Sequence, residues 1–297
     1  MSETTAPVAR ARTSPAVPPL LVLALVVGAM ALYPFVFGRY MNLGVSTLLL
    51  AGFALSWDIL GGWTGQSSLG HAVLVGIGAY TMTLLAEAHG VPPWWGALAG
   101  MLLAATIAYL WGTLTFRLRG SYFTLSSIAV AEIFRAIAVN ESWLTNGAEG
   151  KFVPNLVGPF GLDVFDRRNQ YWMALAFVTL ILLFLHWLRR ARLGYYLRAV
   201  REDEDGAMAL GISPTRAKVT AFMISAAFAS LGGSLYAIYL NAFEPDNLLF
   251  LPFSIQIALL AIIGGRGTIY GPLVGAIVLG VAGEQFRSFL QEANLLV

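Results

Sequence analysis

The part of this chain best equipped to handle a polar solute is Gly61-Gly62-Trp63-Thr64-Gly65-Gln66-Ser67-Ser68-Leu69-Gly70-His71. Its glycines are expected to loosen a helix, while Gln66, Ser67, Ser68, Thr64 and His71 supply hydrogen-bonding groups between two apolar runs. Broken backbone at membrane depth is tolerated only against protein or a water-filled cavity, and glycine-interrupted segments mark solute sites in transporters. A polar solute pathway and a plain connecting loop both fit these residues. A second segment, Gly264-Gly265-Arg266-Gly267-Thr268-Ile269-Tyr270-Gly271-Pro272, also opens on a glycine pair and runs into a small-residue helix. The two could be related halves of a repeat, although their common orientation does not favour an inverted one. The expected pathway residues are Gln66, Ser67, Ser68, Gly70, His71, Gly264, Gly265 and Gly267.

Charge inside apolar runs is costly and is normally paired. Glu132 and Arg135 stand three residues apart, a spacing that permits direct pairing on a helix. They read as an intramembrane ion pair in the outer half of a span or as part of a solute site. Asp58, beside the first glycine segment, poses the same choice. The charged run Arg198–Gly211 can form a short helix with Val200, Ala207 and Leu210 on related faces, ending at Gly211. It is either a solvated loop or a helix that sits in the groove of a partner.

Several chemistries are excluded. The only lysines are Lys151 and Lys218, and neither lies in a phosphate-loop context, so this chain does not hydrolyse ATP by that route. Neither G-x-S-x-G nor H-E-x-x-H occurs. Cysteine is absent, and His71, His89 and His186 lack metal-ligand spacing. A net charge of +2 without a basic, aromatic-rich patch gives no sign of nucleic-acid binding. No enzyme and no cofactor in this chain are expected.

The elements that must position these groups follow from composition. Of the 297 residues 58% are hydrophobic and 11% charged, against about 25% charged in a soluble domain. The solvent is therefore mostly lipid, and helix is the economical way across it. The fold expected is all-α and polytopic, with about nine spans near residues 20–37, 42–60, 68–86, 94–116, 121–139, 170–188, 217–240, 252–264 and 269–283. Residues 1–17 are expected to be a disordered cytoplasmic tail and 18–297 the transmembrane domain. Arg117, Arg119, Arg189, Arg190 and Arg192 then fall inside, and Glu244 and Asp246 outside. This leaves an external loop at about 140–169 and a cytoplasmic one at about 189–216. Gly96 with Gly100, and Gly271 with Gly275, have the spacing of close helix packing.

Four patches, GGWTGQSSLGHAVLVGIGAY at 61–80, AEIFRAIAVNESWLTNGAEG at 131–150, LRAVREDEDGAMALGISPTRAKVTAFMISAAFASLGGSLYA at 197–237 and IIGGRGTIYGPLVGA at 262–276, carry a family resemblance. In their order and spacing the chain resembles permease subunits of bacterial branched-chain amino-acid ABC importers of the LivM type. The resemblance implies that the cytoplasmic loop couples to an ATPase. Asp205, Gly206, Ala207 and Gly211 occupy the positions of the pattern E-A-A-x-x-x-G, with Arg201, Glu202 and Glu204 beside them. It also implies a second permease subunit, two ABC ATPase subunits that bind ATP and Mg, an extracytoplasmic solute-binding protein, and residence in the bacterial inner membrane among its lipids. Family members continue past a segment like 284–292 into another apolar span, whereas this sequence stops at Val297. The same architecture could import urea, amides, aromatic acids or a sugar. A rival of another class, an ion-coupled secondary transporter, would have to use Asp58 and Glu132.

Overall fold

The computed structural model describes residues 19–116, 122–154 and 161–292. The tail expected at 1–17, Arg117 and Arg119, and part of the 140–169 loop lie outside the described residues. The fold is all-α and polytopic. Seven helices among the described residues are long and apolar enough to cross a membrane, and Leu20–Val36 and Gly271–Gly283 form two shorter apolar stretches.

In chain order the helices are α1 (Pro19–Val36), α2 (Met41–Thr64), α3 (His71–His89), α4 (Pro93–Thr115), α5 (Tyr122–Asn140), a single turn α6 (Ser142–Thr145), α7 (Arg167–Arg190), α8 (Arg192–Glu202), α9 (Glu204–Ala209), α10 (Pro214–Leu240), a single turn α11 (Pro245–Leu248), α12 (Leu251–Gly265) and α13 (Gly271–Glu292). Helix α2 is the hub. It touches α7, α10, α12 and α13, and 83% of its most apolar stretch is buried. Helix α10 packs beside it and carries α3 and α4, while α1 leans on α7 and α5 stands at the edge.

Small residues set these distances. A Cβ built on Gly78 of α3 would lie 1.9 Å from the Ser230 carbonyl of α10, and one on Gly233 would lie 2.0 Å from the Val75 carbonyl. The two backbones therefore touch directly, the packing that replaces hydrophobic drive between helices in lipid. Gly264 and Gly275 hold α12 and α13 together in the same way, each with its Cβ position 2.0 Å from a facing carbonyl. Gly96 and Gly100 bring α4 against Met82 and Gly78. Gly233→Leu should destabilise the bundle by about 1–3 kcal/mol, the usual cost of overpacking. The thermal midpoint of the detergent-solubilised protein should fall accordingly, and an unchanged midpoint would contradict this contact.

The loops sort into two ends. Two short strands, β1 (Lys151–Phe152) and β2 (Ala242–Phe243), pair antiparallel, so both loops assigned to the outside meet. Lys151 also reaches Glu87, near the outer end of α3, at 2.7 Å. At the other end α8 and the α12–α13 turn gather around the end of α2, with α9 packed on α8 and α10.

Two expectations about helix shape change. Helix α2 does not loosen at Gly61-Gly62 but runs on to Thr64 and stops at Gly65, whose φ of +76° is left-handed. The glycine pair is held helical by tight packing, Gly61 under the Trp57 ring and Gly62 against the backbone of Gly267. The cytoplasmic run is also two helices rather than one. Asp203 is extended and its Oδ1 accepts from Asp205 N at 3.0 Å, which caps α9 separately from α8. Val200 and Ala207 are buried, but Leu210 points outward, 80% exposed.

Candidate functional site

After Gly65 the chain turns back into the bundle as an extended segment. His71 is wholly buried, and its Nε2 lies 3.0 Å from Ser225 Oγ. The Ser225 hydroxyl donates its one proton to the Ser56 carbonyl at 2.6 Å, so His71 Nε2 is the donor to Ser225. Ser56 lies eight residues before the end of α2, which places His71 about 12 Å inward of that end. The segment therefore re-enters the helix bundle.

A non-helical stretch at that depth needs side chains to satisfy its backbone. Thr124 Oγ1 donates to Ser67 O at 2.8 Å, and Trp57 Nε1 to Ser68 O at 2.7 Å. Ser127 Oγ accepts from Leu69 N at 2.9 Å, Ser68 Oγ from Gly70 N at 3.3 Å, and Ser254 Oγ from Ala72 N at 2.9 Å. Helices α2, α5 and α12 thus hold the segment in shape. Ser68, Gly70 and His71 face inward and are buried, whereas Gln66, Ser67 and Leu69 remain partly exposed.

Helix α5 continues this exposed polar edge. Thr124, Ile128, Glu132 and Arg135 fall on one helical face and are all partly exposed. Arg135 Nε donates to Glu132 Oε2 at 2.9 Å, and Nη1 to Asp246 Oδ1 of α11 at 2.6 Å. Two carboxylates and one guanidinium therefore tie α5 to α11 near the outer end. The sequence gives no sign of Asp246 as the second partner, because the contact joins residues 111 apart.

The second glycine segment forms the α12–α13 turn. Gly264 packs on the Gly271 backbone, Gly265 has φ +112°, and Gly267 sits against the end of α2. Gly267 N donates to Asp58 Oδ1 at 2.7 Å. Asp58 is fully buried, its Oδ2 has no hydrogen-bond partner, and the cations around it are Arg201 and Arg266. Arg201 Nη1 donates to the Gly62 carbonyl at 2.7 Å. A Cβ on Gly267 would lie 2.2 Å from that same Nη1, and one on Gly62 would lie 2.4 Å from Gly267 N. Both glycine segments thus meet at Asp58, and Arg201 of α8 closes the junction.

The remaining residues of the α8–α9 segment divide between anchoring and exposure. Glu204 pairs with the buried Lys218 of α10. Ala207 is buried, and a Cβ on Gly206 would fall 2.7 Å from Asp203 Oδ2, so glycine at this position leaves room for the cap. Ile212 N bonds Ala207 O at 3.0 Å and Gly211 N bonds Met208 O at 2.9 Å, with Gly211 at φ +81°. This is a Schellman ending, which favours glycine at that position. Glu202, Asp205, Met208, Leu210 and Gly211 are exposed at the tip.

No group of three or more metal-ligating side chains converges among the described residues.

Comparison with known proteins fits this architecture. Residues 39–297 match the family described as branched-chain amino acid transport system / permease component. The chain is 31% identical to the high-affinity branched-chain amino acid transport system permease protein LivM of Escherichia coli (strain K12), over 94% of this chain and 71% of that protein. It is 25% identical to the fructose import permease protein FrcC of Rhizobium meliloti, over 91% of this chain and 77% of that one. It is also 24% identical to the permease protein LivH of Salmonella typhimurium, over 80% and 81%. No solved structure matches the chain significantly. With most of its length matched and its helices arranged as a polytopic bundle, the chain belongs to the branched-chain amino acid transport permease family.

Proposed function

We propose that the chain is the membrane-spanning subunit of an ATP-driven importer for branched-chain or related amino acids in the bacterial inner membrane. ATP and Mg are bound by two separate ATPase subunits, a second permease completes the pore, and an extracytoplasmic protein delivers the solute. The observation that carries this reading is the α8–α9 segment. It is anchored inward by Arg201 and Lys218 and presents an apolar tip, Met208 and Leu210, on the side where the arginines collect. An exposed leucine on a capped helix is costly in water and suits a partner's groove.

Solute then passes along the face formed by Gln66, Ser67, Thr124, Glu132 and Arg135. Polar groups there are partly exposed at membrane depth, a placement that lipid disfavours and a pore between two permeases accommodates. Ser68, Gly70 and His71 serve this face from behind by fixing the shape of the re-entrant segment. Gly264, Gly265 and Gly267 act further inward, forming the turn against which α2 and α8 bear. ATP binding to the partner subunits biases one of two packings of the bundle, and access alternates accordingly.

The test is the double variant Asp205→Ala with Gly211→Ala. It should insert into the membrane normally, since neither residue lies within a span. ATP-dependent leucine uptake should fall at least about tenfold, because the Schellman ending and the acidic tip residue are both altered. Uptake at the parent rate would sink the coupling assignment.

A further inference from the structure

The cytoplasmic end of α7 holds a cleft that borders the Gly267 turn but whose arginines, Arg189 and Arg198, have no part in the roles above. Its volume is about 510 Å³, and its walls include Val22 of α1, Trp63 of α2, His186 and Arg189 of α7, Arg198 of α8 and Tyr270 of the α12–α13 turn. Two of these residues are guanidinium cations. Among the described residues no carboxylate lies within 4.0 Å of either of them.

The hydrogen bonds of the walls are partly accounted for. Arg198 donates from Nε to Gly194 O at 3.2 Å and from Nη2 to Arg189 O at 3.3 Å, and its guanidinium lies 4.8 Å from the centre of the Tyr195 ring. These contacts orient the cation without neutralising it. His186 Nδ1 lies 2.9 Å from Leu182 O and so donates to it, leaving Nε2 as the acceptor from the Tyr270 hydroxyl at 3.2 Å. Burial raises the Tyr270 phenol above its ordinary value, so it stays protonated as that donor. The indole of Trp63 is different: the residue is 3% exposed and its Nε1 has no hydrogen-bond partner.

The cleft therefore offers two cations with no carboxylate beside them, at the end of α7 where the chain turns into α8. Arginine suits phosphate oxygens through its forked donors. The source of the phosphate is indicated by the opposite wall, where Val22 stands on α1 between the exposed Leu21 and Leu25, on a surface that faces the bilayer.

We propose that this cleft binds the phosphate headgroup of an anionic membrane lipid, held by Arg189 and Arg198, with the Trp63 ring forming part of the wall. Basic pockets between helices on the cytoplasmic side suit such headgroups. The site depends only on the chain's being membrane-embedded with this end inside, so it stands whether or not the transport reading holds.

The experiment uses the protein purified with its accompanying subunits in nanodiscs of phosphatidylcholine containing a minority of phosphatidylglycerol. Native mass spectrometry after release counts the lipids retained. The parent protein should retain phosphatidylglycerol in preference to phosphatidylcholine. Arg189→Gln with Arg198→Gln should weaken that retention about thirtyfold, at roughly fivefold for each arginine near the surface. Arg189→Lys with Arg198→Lys keeps both charges and should retain phosphatidylglycerol better than the glutamine pair. Three results would overturn the proposal: equal retention of both lipids, parent-like retention in the Arg189→Gln, Arg198→Gln protein, or binding of inorganic phosphate at these arginines with no phosphatidylglycerol retained. The last would assign the site to free phosphate.

Discussion

Replacing Arg201 with glutamine is expected to separate ATP hydrolysis from uptake, lowering solute moved per ATP by roughly tenfold to a hundredfold. A hydrogen bond from a charged group contributes about 1.5–3 kcal/mol, and each 1.4 kcal/mol is a factor of ten in an equilibrium. Arg201 supplies the hydrogen bond by which α8 grips α2, because its Nη1 donates to Gly62 O at 2.7 Å and packs against Gly267, beside the ring contacts of Arg198 and Gly194 with Trp63. Without it, α8 and α9 remain tied to α10 through Glu204 and Lys218 but lose their hydrogen bond to α2 and their contact with the α12–α13 turn. A push from a bound ATPase would then move α10 alone. Asp58→Ala should act in the same direction, since it leaves Gly267 N without its acceptor. Asp58→Asn keeps an oxygen for that bond and should recover part of the loss. The measurement is leucine transported per ATP hydrolysed in proteoliposomes, with assembly checked by subunit stoichiometry. A purely structural role would lower the yield of assembled complex and leave the ratio untouched.

The second large effect is expected from Leu210→Asp. Leu210 is the most exposed large apolar side chain of the α8–α9 segment, set at the tip by the left-handed turn at Gly211. Apolar anchors seated in a partner's pocket carry about 2 kcal/mol or more of binding energy, and a carboxylate there would add a desolvation cost. The ATPase subunits should then be lost from the purified assembly, or bind at least about thirtyfold more weakly. The substitution lies outside every span and outside the buried contacts of Ala207, so the amount of permease in the membrane should not change. Binding at parent strength would place the ATPase contact elsewhere on the cytoplasmic face.

Much of this architecture could be read from the sequence because membranes impose simple rules. Apolar runs of fixed length marked the helices, and an arginine cluster marked the turn where α7 meets α8. The glycine segments stood out as unusual, but their meeting at Asp58 did not, because a contact between residues 58 and 267 leaves no local periodicity. The helix break was displaced to Gly65 for a similar reason. A glycine pair that weakens an isolated helix is held helical when Trp57 and Gly267 pack on it. The division of the cytoplasmic run at Asp203 did carry a signal, an aspartate followed by Glu204 and Asp205 in a first turn, the pattern of a new helix start. The inward placement of Ser68 and His71 and the outward placement of Gln66 and Ser67 could not be read from the chain, because an extended re-entrant stretch takes its facing from the helices around it.

The measurement that bears most directly on the central claim is affinity purification of the tagged chain from gently solubilised membranes, with every co-purifying subunit identified and counted. The account predicts a second permease and two phosphate-loop ATPases, all retained by the parent chain and the ATPases lost with Leu210→Asp. A stable, transport-competent chain recovered without any ATPase, taking up solute on an ion gradient alone, would contradict it.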